Sequence, residues 1–132
     1  MNPFGNCLGP NIQIPIVLFS SETDATFNPG MIGVGSSPAN IYASYQSFTK
    51  APSKFFANFK DMEHNGVVDK GLFLPTSGNA DVFLPTMVSW FKSKLVGDTL
   101  YNKYLDTTSV EFNNLKSRFV AAANVPAYEY MK

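Results

Sequence analysis

What is scarce in this 132-residue chain narrows the field first. Cys7 is the only cysteine, which excludes an internal disulfide and any zinc site built from several thiolates, and leaves the redox compartment open. No stretch reaches the roughly 18–20 apolar residues that a bilayer-spanning helix needs, so no transmembrane segment is expected. Charge is sparse and balanced, with ten Lys and Arg against ten Asp and Glu. A chain of zero net charge has no long-range field to gather polyanions, so nucleic acid is a poor partner. The opening Met1-Asn2-Pro3-Phe4-Gly5 lacks the basic and apolar regions of a signal peptide. In a longer parent protein such a signal would lie upstream.

What is abundant points to a folded core. The chain is 45% hydrophobic and carries twelve Phe and six Tyr, whereas disordered chains are poor in these residues. Its length suits one small domain, or a part of one.

Residues 1–11, rich in Pro, Gly and Asn, read as an entry loop. Ile12 to Ser21 (IQIPIVLFSS) is a nearly unbroken β-branched and aromatic run, the pattern of a strand buried on both faces of a parallel sheet. Ile12, Ile14, Ile16 and Leu18 would share one face, and Val17 and Phe19 the other. Pro15 donates no ladder bond and belongs near the strand's start. Glu22 to Asn40 reads as a long loop. A helix is expected over Pro38 to Phe48, where Ile41, Tyr45 and Phe48 fall on one face. A second strand is expected within Ser53 to Met62, around Phe55, Ala57 and Phe59.

After another loop, Leu84, Val88, Phe91 and Leu95 recur at spacings of four, three and four. That stripe predicts a helix packed on the core, with Asp81 or Thr86 as N-cap and Gly97 as its stop. Trp90 lies beside the stripe and reads as core. Phe112, Leu115, Phe119 and Ala122 or Ala123 predict a last helix from Val110 to Ala123.

The fold class is therefore α/β: two parallel strands and about three helices, joined through a βαβ crossover, at the edge of a doubly wound sheet. Two such strands make an incomplete sheet. Further strands are expected from an upstream segment, from a companion chain or from self-association.

Sites in open α/β sheets form at the carboxyl ends of strands. Asp24 follows the first strand by three residues, and His64 follows the second. Adjacent parallel strands would bring both loops to one edge, where a carboxylate can hold a histidine in the tautomer a general base needs. Each residue alone reads more simply as a polar loop position. Asp61, Glu63, His64 and Asp69 lack the ligand spacing of a metal site and read as solvated charge, so no metal or other cofactor is expected. Ser36 and Ser37 lack the following Lys of a phosphate loop.

Three segments carry a resemblance. IPIVLFSSETDATFNP resembles the strand and acid-bearing loop of the cutinase-like polyester hydrolases and related lipases. FFANFKDMEHNG resembles their last strand followed by the catalytic histidine, and MVSWFKSKLVGDTLYNKYL their next helix and its Asp-Thr turn. The likeness runs from Ile12 to Leu105 and keeps the order of acid before histidine. It implies residues 12–105 as the C-terminal portion of an α/β-hydrolase domain, residues 106–132 as a connector, terminal helix and tail, and a secreted serine ester hydrolase with Asp24 and His64 as catalytic residues. No G-x-S-x-G is present, and that motif supplies the family's nucleophile. The resemblance therefore implies a partner, an N-terminal half or companion chain bearing that motif, and a chain inert alone. The alternative is a non-catalytic binding or structural protein derived from such a half-domain.

Overall fold

A computed structural model of the chain describes residues 9–22, 37–60, 62 and 80–132. The elements run β1 (Ile16–Ser21), α1 (Pro38–Ser47), β2 (Lys54–Phe59), α2 (Ala80–Phe91), α3 (Val110–Lys116) and β3 (Tyr128–Met131). The strands form one open sheet in the order β1-β2-β3. β1 and β2 are parallel, from Ile16 opposite Lys54 to Ser21 opposite Phe59. β3 is antiparallel to β2, from Lys54 opposite Met131 to Ala57 opposite Tyr128. The expected parallel pair is present within a mixed α/β architecture.

The central strand β2 is buried along its whole length. Alternation sends Phe55, Ala57 and Phe59 to one face and Phe56 to the other. The first face packs with Val82, Trp90, Leu105, Phe112 and Phe119. The second packs with Tyr45 and Val125. Helices thus lie against both faces, α1 on one side and α2 with α3 on the other.

β1 differs from its expectation. It starts at Ile16, Ile14 is 63% exposed, and its first four residues are only half-buried. Among the described residues β1 forms the sheet's edge, so it has one neighbour to cover it where the buried run suggested two.

α1 begins at the expected place because Ser37 caps it, its side chain accepting from the Asn40 N–H, with Pro38 at the first position. The same serine that lacked a phosphate-loop context is thus a helix cap. α2 continues into a π turn, Lys92–Val96, and stops at Gly97, whose φ of 74° is left-handed backbone that glycine adopts without strain.

The core-facing side of α2 is not the expected one. Leu84, Val88, Phe91 and Leu95 are all exposed, while Val82, Thr86, Ser89 and Trp90 are buried. Trp90 is the reason. Its ring meets Phe55 at 6.4 Å and Tyr130 at 6.2 Å, and burying the largest aromatic surface outweighs burying smaller aliphatic side chains. Thr86 and Ser89 are small enough to sit against the sheet, and each hydroxyl donates to its own helix, to the Val82 carbonyl at 3.3 Å and the Pro85 carbonyl at 2.5 Å. Thr86 is therefore an interior residue and not an N-cap. Asp81 stands in the first turn, where a carboxylate favours the helix dipole.

The last helix is shorter than its periodicity predicted. It starts under the Ser109 cap and ends at Lys116. Phe119 then bridges to Phe59. Asn124, at φ 61°, turns the chain between Ala122 and Val125. The tail returns as β3, so the third strand, expected from elsewhere, comes from this chain.

Candidate functional site

The parallel register decides where the two candidate loops begin. Ser21 and Phe59 are paired at the carboxyl ends of β1 and β2, and the Glu22 N–H donates to the Phe59 carbonyl at 3.3 Å. The segments carrying Asp24 and His64 therefore leave one sheet edge from points about 5 Å apart, the spacing of neighbouring strands. Asp24 and His64 themselves lie outside the described residues, as do Asp61, Glu63, Asp69 and Ser36.

A buried polar clamp holds these strand ends. The Ser20 hydroxyl donates to Asn58 Oδ1 at 2.8 Å, and Asn58 Nδ2 donates to the Val120 carbonyl at 2.8 Å. The Asn58 N–H donates to the Ala127 carbonyl and its carbonyl accepts from the Val120 N–H, each at 2.9 Å. Asn58 is fully buried, and its amide ties β1, β2 and the returning tail together with good geometry. One residue further, the Lys60 N–H donates to the Arg118 carbonyl at 2.8 Å. Met62 then joins the core below. In the sequence, Asn58 and Ser20 carry no signal beyond a polar residue interrupting an apolar strand.

A second polar group sits at the opposite, amino end of β2. Tyr42 donates its hydroxyl to Glu129 Oε2 at 2.6 Å. The Lys54 ammonium donates to the Tyr45 carbonyl at 3.1 Å and lies 4.4 Å from the centre of the Tyr45 ring. The hydrogen bond to Glu129 raises the Tyr42 pKa above its ordinary 10.0. Burial, then the Glu129 charge, raises that of Tyr45 further. Both hydroxyls are thus held neutral by the fold. A group with a raised folded pKa contributes stability that is complete below its unfolded value and is lost as pH rises through the folded one. Thermal stability is therefore expected to fall above about pH 10, and Tyr45→Phe to make that fall shallower in melts across this range. An unchanged slope would show that Tyr45 ionises as freely folded as unfolded.

Among the described residues no group of three or more His, Cys, Asp and Glu could hold a metal, and no helix is long and apolar enough to cross a membrane. No protein-family model and no curated protein matches the chain.

Proposed function

We propose that this chain supplies the acid and the base of a serine ester hydrolase, with Asp24 orienting His64 and the nucleophilic serine carried by a partner segment or chain. The observation that supports this reading is the in-register parallel pairing of Ser21 with Phe59, since it starts the two candidate loops side by side at a carboxyl edge. In the proposed reaction His64 takes the proton from the partner's serine as its oxygen attacks the ester carbonyl. The same imidazolium then returns a proton to the departing alcohol. Asp24 holds the Nδ1–H and stabilises the positive ring. The resemblance to cutinase-like hydrolases agrees with carboxylic esters, polyesters or lipids as the substrate class.

His64 is the only histidine, so one imidazole resonance reports on the proposal. In an NMR titration of the whole chain, Asp24→Asn is expected to lower the pH at which His64 loses its proton, because a nearby carboxylate favours the charged ring. Identical titrations in the two chains would sink the assignment. The chain alone is expected to leave an activated ester unhydrolysed and a fluorophosphonate probe unreacted. Labelling of one of its own serines, abolished by His64→Ala, would overturn the claim that the nucleophile lies elsewhere.

A further inference from the structure

We infer that Asn58 is a positioning residue of the proposed site: by taking the Ser20 hydroxyl it selects, among the registers open to β1, the one that starts the Asp24 and His64 segments side by side. The inference rests on the hydrolase reading of those two residues. Ser20 is 4% exposed and Asn58 0%, a polar pair set at the end of two apolar runs, Ile16 to Phe19 and Phe55 to Ala57. A neutral hydrogen bond between buried groups gains little net stability, less than apolar side chains of that size would gain in the same place. What the pair adds is direction, which apolar contact lacks.

Register is what that direction decides. Sliding β1 along β2 by one residue turns every side chain to the opposite face, which the core forbids. Sliding it by two is not forbidden in this way. Leu18 keeps the face of Tyr45 and Phe56, Val17 and Phe19 keep that of Phe55 and Phe59, and the parallel ladder forms again. The buried amide breaks this degeneracy. Its Nδ2 is committed to the Val120 carbonyl at 2.8 Å, so Oδ1 faces β1 and needs a donor there, which the Ser20 hydroxyl supplies at 2.8 Å. After a slip of two residues Asn58 would stand opposite Leu18 or Glu22. Neither side chain carries a hydroxyl or amide donor, and a buried acceptor left without one is costly. Asp24 and His64 follow Ser20 and Asn58 by four and six residues. The same slip would move the start of one segment roughly 6–7 Å along the other, about twice the reach of a hydrogen bond.

The NMR titration of His64 in the full chain reads this placement without any nucleophile present. In the unsubstituted chain Asp24→Asn is expected to lower the His64 midpoint by about one pH unit. In chains carrying Ser20→Ala or Ser20→Val, the same Asp24→Asn change is expected to lower it by less than half as much. Ser20→Thr keeps the hydroxyl on a side chain of valine's shape and should preserve the full shift, a contrast that lost packing does not produce. Circular dichroism melts establish that each chain is folded, and where the branched side chains unfold it, the Ser20→Ala chain decides alone. A full shift in folded Ser20→Ala, or a loss shared by folded Ser20→Thr, overturns the positioning role and leaves the hydrolase reading standing. No shift in the unsubstituted chain overturns both.

Discussion

Phe55→Ala is expected to cost the fold about 3–5 kcal/mol, the usual range for removing a fully buried phenylalanine. Phe55 has no exposed surface and sits on the central strand. Its ring meets those of Phe19 at 6.4 Å, Trp90 at 6.4 Å and Tyr130 at 5.9 Å. One ring thus joins β1, α2 and β3, and the neighbours belong to three elements that cannot all close in on the vacated space. The lost transfer energy therefore carries a cavity term with it. Against a total stability of about 5–15 kcal/mol for a domain, the midpoint of thermal unfolding should drop by roughly 10–20 °C. Ile14→Ala provides the contrast. Hydrophobic pattern alone places Ile14 in a buried strand, yet it is 63% exposed, and its truncation should change stability by no more than about 0.5 kcal/mol. Urea denaturation of both variants measures the difference, and equal effects would contradict the packing described.

Deleting residues 127–132 should abolish cooperative folding. The deletion strips β3 from the central strand and exposes the ladder from Lys54 to Ala57. It also removes Tyr130 from Phe55 and Trp90, Tyr128 from Phe112 at 4.8 Å, and the bonds from Ser53 to the Met131 carbonyl and from Tyr42 to Glu129. Two half-buried tyrosines and these hydrogen bonds together contribute roughly 4–6 kcal/mol, which approaches the whole margin of a small domain. The shortened chain is expected to lose its near-ultraviolet dichroism and its sharp melt, and to aggregate through the uncovered edge of β2. Retention of the full-length melting midpoint would mean that the two parallel strands close their core without β3.

Much of the scaffold was legible along the chain because it is local. β2 was readable from Phe55, Ala57 and Phe59, α1 from the spacing of Ile41, Tyr45 and Phe48, and the end of α2 from Gly97. These signals act over a few residues, through side-chain alternation, capping and the tolerance of glycine for positive φ. The candidate site was legible only as a position: the parallel order of β1 and β2 predicted that two loops leave one edge, and the register agrees. Asn58, which clamps that edge, was not legible, since its partners at Ser20 and Val120 are 38 and 62 residues away.

By itself, then, the sequence determined an α/β chain of balanced charge with a parallel strand pair and its helices. Which side of α2 faces inward was decided by tertiary structure: the apolar row of Leu84, Val88 and Phe91 lies outward, and the face with Val82, Thr86, Ser89 and Trp90 lies inward because the Trp90 ring finds Phe55 and Tyr130. The third strand was decided the same way. Tyr128–Met131 is too short to announce itself, and it becomes a strand because β2, more than 70 residues earlier, offers an unpaired edge whose N–H and C=O groups must be satisfied once buried.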